Sequence, residues 1–494
     1  DKLFVFGGYE GLRSQRDTVL LGLFPTKNQL AGGNTPTAAP TVSLTSKAAI
    51  VLNPTYPTVT TDQAVVGLAG NNYSFTAPFQ DNYDQYTVRG DYTINTKNTL
   101  FGRYINYDSN QVTPLVNGSS NATPLLGRNA VLGDTHLFGK SIVNEARIGW
   151  NEFYNITLGV LQSAGPGGNW ATAEGLNNLT AATSPRQNGR AAFGITGFTN
   201  VGDGGGDQGG HENVISAGDT ISDVIGKHTL KVGFQYQNRR LWQIADNNAR
   251  GAATFDNCSA TVCDPANKTN PATGTFYTKF ENYARGYCTS GCNGNAGTTL
   301  GHYRDNTYGA FINDIWQIGH GLTINAGMRW EYNSPFVEQN GLEGSLDPTT
   351  GKVTFSKLPA TIPQAYLNAG IIDTTRTYRP GILQPQKKGF MPRVGIAYQA
   401  TPSTVIRAGY GIYLENLNTN ELQFTRYAAP LYFQQAFSNV FTNNLFPDPL
   451  TTTQIPSPFS IRPDNGRPLT QEWNFSLQQD LGHGVVMEIA YTGS

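Results

Sequence analysis

Six times along the chain a short turn joins two stretches in which apolar and polar residues alternate, and the connections between these units are long. Tyr86, Val88, Gly90, Tyr92 and Ile94 alternate with Thr87, Arg89, Asp91 and Thr93, and after the turn Asn95 to Asn98 the pattern resumes in Leu100, Gly102 and Tyr104 with Arg103 opposite. A period of two places one set of side chains on each face of a strand, so each unit reads as a hairpin with one apolar and one polar face. The same design recurs around Gly139-Lys140, Gly226-Lys227-His228, Gly319-His320-Gly321, Thr401-Pro402-Ser403 and Gly482-His483-Gly484. Its cleanest alternation runs from Leu322 to Tyr332, where Ile324, Ala326, Met328 and Trp330 oppose Thr323, Asn325, Arg329 and Glu331.

The stretches between hairpins, about 108 to 128, 155 to 210, 243 to 303, 334 to 388 and 415 to 470, are rich in Asn, Gly, Thr, Ser and Pro and show no sustained period. Connections above about 15 residues need a reason in a compact domain. A membrane-spanning barrel supplies one, because its turns are short on one side and its loops long on the other. The expected fold is therefore all-β: an antiparallel transmembrane β-barrel, one domain over residues 1–494, with about 14 strands of about 10 residues or more. No apolar run is long enough for a membrane helix, and the alternation accommodates a mean hydropathy of −0.35. Only 14% of residues are charged while glycine numbers 56, a β-rich profile. A net charge of −1 leaves no basic surplus for nucleic acid as a partner. Alternation begins within the first residues and still runs at Tyr491, so the chain is expected to be cut within the sheet at both ends and unable to function alone, because an open sheet leaves two unpaired edges.

Aromatic placement agrees with a barrel. Trp150, Trp330, Tyr332, Tyr413 and Trp473 fall at the long-loop ends of their strands, and Phe138 and Trp316 near the short turns, as two interfacial girdles require. A cationic side chain facing lipid at the midplane costs roughly 2–4 kcal/mol, so Arg89, Arg103, Arg147, Lys231, Arg329 and Arg407 are expected to line the interior. Tyr308 to Ile318 is less regular, with Phe311 and Ile315 on the face opposite Ala310 and Ile312.

No catalytic constellation is present: the chain holds no phosphate-binding loop, no HExxH and no GxSxG, and neither enzyme chemistry nor a cofactor is expected. His228, His320 and His483 occupy equivalent turns of different hairpins and read as turn residues rather than as a metal site. The run Gly202 to Gly210 offers carboxylates to Ca²⁺ but reads better as a surface loop. Cys258, Cys263, Cys288 and Cys292 share one long loop, with gaps that do not match CxxC zinc spacing. Disulfides in an oxidising extracytoplasmic space suit them better, and short-range closure would pair Cys258 with Cys263 and Cys288 with Cys292.

Five segments carry a family resemblance: Asp1 to Gly11, Asp84 to Tyr104, Gly309 to Tyr332, Phe390 to Tyr413 and Gln471 to Ser494. In that order they resemble the barrel portion of Oar-like TonB-dependent receptors of the Acidobacteria type, whereas the long loops match nothing. The resemblance implies a barrel of roughly 22 strands in the bacterial outer membrane, filled by a plug and energised through a periplasmic TonB box. Neither plug nor TonB box is visible in this sequence. The function expected from it is energised uptake of a large or scarce nutrient, with outer-membrane lipid, the TonB complex and an unidentified extracellular ligand as partners. A passive porin and a surface adhesion or structural protein are the alternative readings.

Overall fold

The computed structural model of the chain describes residues 2–42, 57–116, 120–160, 192–202, 207–245, 251–297, 299–415, 420, 423–428, 430–441, 459–464 and 466–494. Its long strands are β1 (Leu3–Gly22), β2 (Tyr73–Asn95), β3 (Asn98–Pro114), β4 (Ser120–Phe138), β5 (Ile142–Val160), β6 (Gln208–Ile225), β7 (His228–Ala245), β8 (Gly301–Gly319), β9 (Leu322–Asn333), β10 (Gln386–Thr401), β11 (Thr404–Leu414), β12 (Leu469–Gly482) and β13 (Val485–Gly493). Each pairs with the next, and the short strand Val337–Glu338 joins β8 to complete a 14-stranded sheet. Every long pairing is antiparallel. Among the described residues β1 and β13 end the path and do not pair with each other.

The turns fall at the six expected places. In Gly319-His320-Gly321 the three φ angles are 110°, 51° and 74°, and in Gly482-His483-Gly484 they are 79°, 54° and 78°. A run of left-handed residues favours glycine on both sides, with histidine among the few other types that tolerate that region. His320 and His483 thus serve as turn residues, whereas His228 opens β7 and bonds Asp314 at 2.7 Å.

Several strands run further than their alternation. Residues 108–128 belong mostly to β3 and β4, with Asp108 opposite Leu126 and Val112 opposite Ala122, so most of the expected loop there is strand. Where water wets both faces, a ladder needs no apolar side, and a pattern search sees only the half-apolar part of the strand. Residues 203–206 of the glycine-rich run lie outside the described residues.

Register makes the two faces continuous. On one, Val232, Ile312, Met328 and Pro392 stand in a single row, and Tyr236, Tyr308 and Tyr332 in another. On the other, Gly233, Phe311, Arg329 and Met391 are in register. This row accounts for the irregular β8: Phe311 lies over Gly233, where an added Cβ would run into its ring. Phe101 covers Gly133 in the same way. A large ring beside a glycine fills the gap that the missing side chain leaves and shields its backbone.

Gly233→Val is expected to expel the Phe311 ring and also to crowd the Asp219 carbonyl, 2.9 Å from the new Cβ. Overpacking of this kind costs about 1–3 kcal/mol. The measurement is the urea midpoint of the folded, heat-modifiable form in detergent, and an unchanged midpoint would contradict this packing.

Candidate functional site

Parity through the register decides which side chains share a face. Arg89 pairs with Arg103, Arg103 with Val131, and Val131 with Gly149, which lies two residues from Arg147. Arg147 pairs with Gly218 and that with Gln235, four residues from Lys231; Lys231 pairs with Asn313, beside Phe311 and its partner Arg329. Met391 opposite Arg329 then leads along β10 to Ala397 and Arg407. All six basic residues therefore stand on one polar face. Their partners are Asp91 at 2.7 Å, Asn129 at 3.1 Å, Glu145 at 3.8 Å, Glu331 at 3.4 Å and Gln478 at 2.8 Å for Arg89, Arg103, Arg147, Arg329 and Arg407 respectively.

Trp150, Trp316, Trp330, Tyr332 and Trp473 share the opposite, apolar face. Tyr413 does not. It lies an odd number of residues from Tyr410, which pairs with Trp473, so it projects on the polar face, with the Arg393 guanidinium 4.6 Å from its ring centre. Placing it by its distance along the strand, without its parity, put it in the wrong set.

Among the described residues, recesses open on the polar face. One of about 620 Å³ is lined by Asn313, Asn325, Arg393, Tyr413, Glu472 and Asn474, with Gly395, Gly409 and Gly411 between them. The glycines are its floor: Asn325, Gly395, Gly409 and Asn474 form one register row, and Gly327, Arg393, Gly411 and Glu472 the next. Its amides can donate to and accept from a polar solute. A second recess of about 340 Å³ surrounds Arg147, Gly218, Gln235 and Phe311. Among the described residues no group of His, Cys, Asp or Glu is placed to hold a metal ion.

The long loops are not featureless, contrary to their composition. Strands Ala192–Ile195, Ala252–Phe255, Ser290–Gly297 and Tyr432–Phe437 from three different loops form one four-stranded sheet. Phe24, Leu30 and Val59 from the β1–β2 loop enter the same buried core as Phe193, Phe255, Phe280 and Cys288. Glu281 ties these loops together, accepting from Thr41 and from Asn270, the latter at 2.8 Å. A second core joins Val353, Phe355 and Tyr366 of the β9–β10 loop to Ala428 of the β11–β12 loop. The sequence signal that reveals this order is local. Thr278 caps the helix Lys279–Arg285 in a capping box with Glu281, and Gly286 closes it at φ 70°, a pattern written in T-x-x-E and a following glycine.

At β8 this cap packs on the polar face. At the long-loop end of β8, Gly301, Tyr303 and Asp305 are buried while His302 and Arg304 between them are exposed. Tyr303 and Leu241 pack with Phe336 and Leu383 of the β9–β10 loop, and the Tyr303 hydroxyl meets Thr425 at 3.2 Å. Within the cap Cys258 and Cys263 are bonded, S–S 2.01 Å, as are Cys288 and Cys292, S–S 2.07 Å. All four cysteines are buried.

The whole chain, residues 1–494, matches the family described as outer membrane beta barrel domain. The chain belongs to that family. Solved structures similar to this outer-membrane barrel include the outer membrane transporter YddB from Escherichia coli, at 11% identity and TM-score 0.49, covering 86% of this chain and 41% of that one. Others are the alcaligin outer membrane receptor FauA from Bordetella pertussis (8%, TM-score 0.40, 85% and 45%) and the FrpB iron transporter from Neisseria meningitidis (9%, TM-score 0.41, 87% and 47%). The chain thus spans less than half the length of each of these proteins. No curated protein matches it.

One buried group makes the cap sensitive to pH. Glu343 is 2% exposed, and burial pushes its carboxyl up to about 7, against hydrogen bonds from Gly381 and Ser356 that favour the charged form and with Glu338 adding repulsion. A carboxyl raised in the folded state gives stability that is complete below its ordinary value of about 4.5 and is lost as pH rises through 7. Hydrogen exchange of residues 337–385 is expected to be slower at pH 5.5 than at pH 8, after correction for intrinsic rates, with the difference removed in Glu343→Gln. Equal protection at both pH values in the unaltered protein would refute the assignment.

Proposed function

We propose that the chain is the barrel portion of a TonB-dependent receptor that takes up a large or scarce nutrient, with the polar face lining the lumen and the apolar face against lipid. The observation that supports this most is the interlocked loop cap, which packs on the polar face at the long-loop end. A pore for passive diffusion needs an open mouth, whereas three loops sharing a buried core suit a receptor that captures its ligand before admitting it. The recess with Asn325, Arg393, Glu472 and Asn474 lies on the path such a ligand would follow. Membrane free energy supports the assignment of faces, since Val232, Ile312 and Ile148 are more than half exposed and only hydrocarbon covers such a surface without cost.

Val232→Arg, on the apolar face, is expected to lose roughly 2–4 kcal/mol and much of its membrane assembly, while Gln235→Arg, on the polar face, is expected to insert normally. Quantifying the heat-modifiable form in outer-membrane fractions checks both. The uptake reading is tested in the organism's own membrane, by comparing growth on scarce nutrients with and without the gene and with and without a working TonB complex. Growth that depends on the gene but is indifferent to TonB would leave the barrel standing and remove energised transport.

A further inference from the structure

On the apolar face of β7 and β8 the residue types change in steps toward the long-loop end. Phe234 stands opposite Ala310, then Tyr236 opposite Tyr308, itself opposite Tyr332, then Asn238 opposite Asn306, then Arg240 opposite Arg304, and last Trp242 opposite His302. The tyrosine rings lie 5.1 Å and 6.1 Å apart, and the Tyr236 hydroxyl reaches up to Asn306 at 2.9 Å. This row marks the boundary between hydrocarbon and headgroups. Arg240 and Arg304 come two residues beyond the asparagines, about 7 Å along the strand and about 5 Å in height at the usual tilt, which is within the headgroup layer.

Two guanidiniums directly opposite each other on a ladder repel and destabilise the pair. Both are exposed, and among the described residues neither has a carboxylate partner. Their register neighbours are Asn213, Val337, Asn238, Asn306, Trp242 and His302, none of them acidic. The nearest carboxylate in that row is Glu152, beyond Asn213 and engaged by Arg128 at 3.2 Å and His211 at 2.8 Å. Arg239, by contrast, faces the other way and is neutralised by Asp305 at 3.0 Å.

We infer that Arg240 and Arg304 form a binding site on the outer wall of the barrel for a phosphorylated lipid headgroup of the outer leaflet. Phosphate oxygens accept from paired guanidiniums in a planar, bidentate manner. An anion between the two offsets their repulsion, and the tyrosine row beneath supplies the surface against which the acyl chains lie. In a bacterial outer membrane the phosphorylated glycolipid of the outer leaflet has this chemistry, with a phosphate at the top of its acyl chains.

The test uses the full-length protein extracted from outer membranes in mild detergent, with co-purifying lipid A quantified by mass spectrometry. Arg240→Gln with Arg304→Gln is expected to lower bound lipid roughly tenfold, as losing charge-assisted bonds of about 1.5 kcal/mol implies. The double lysine variant should retain most of it, and Arg407→Gln on the polar face should retain all. Delipidated unaltered protein is then titrated with bisphosphorylated and with dephosphorylated lipid A, which keeps the result independent of any folding defect in the variants. Weaker binding of the dephosphorylated lipid, and no displacement by millimolar inorganic phosphate, are the supporting outcomes. Equal affinity for both lipids, unchanged lipid content in the double glutamine variant, or displacement by free phosphate would overturn the site.

Discussion

Lipid offers no hydrogen bonds, so every backbone donor and acceptor crossing a membrane must find its partner in the protein. That one requirement shapes the sheet. Each long strand is laddered to its sequence neighbour over most of its length, and the ladders fix the register from β1 to β13. Register in turn fixes the faces, because a slip of one residue would carry every side chain of a strand to the wrong side. If β8 slipped once against β7, Phe311 would leave Gly233, and Ile312 would leave the row of Val232 and Met328. The separation of six basic residues from five of the girdle aromatics is thus a consequence of backbone pairing, with no need for strong side-chain contacts. The Arg89–Asp91 and Arg147–Glu145 ion pairs on the polar face are largely solvent-exposed and contribute little individually.

The buried apolar core lies elsewhere. Val5, Ile489 and Val232 remain more than half exposed on the sheet, while Phe24, Phe193, Phe255 and Phe355 in the loops are nearly inaccessible. Two kinds of hydrophobic burial therefore operate in one chain. The sheet relies on a solvent that is itself apolar, and the cap relies on the ordinary exclusion of water. This explains why the loops, polar in composition, still fold: each contributes a few apolar residues to a core that no single loop could build.

Sheet, turns and faces were legible in the sequence because membrane strands alternate strictly wherever one face meets lipid. Tyr413 was misplaced because proximity to a loop was read without counting parity from Tyr410. The aqueous extensions of β3 and β4 left no alternation to read, since nothing selects for an apolar side above the membrane. The cap was illegible for a different reason. Its cores are assembled from residues more than two hundred positions apart, such as Leu30 with Cys292 or Phe24 with Phe255, and no local period reports such contacts. The capping box at Thr278 and Glu281 was the exception, a helix start that the residues spell out. The recess around Asn325 and Asn474 depends on glycines in adjacent strands coming into register, which is settled only once the pairing is known.

The covalent links in the cap bear on how it could move. The two disulfides close sequence separations of 5 and 4 residues, for which the chain-entropy model gives only about 2 kcal/mol each. Both stay within the β7–β8 loop, so neither joins one loop to another. Association of the loops rests instead on the four-stranded sheet, the shared core and a few hydrogen bonds such as those of Glu281. No disulfide holds one loop to another, and the two links constrain only short segments inside the β7–β8 loop.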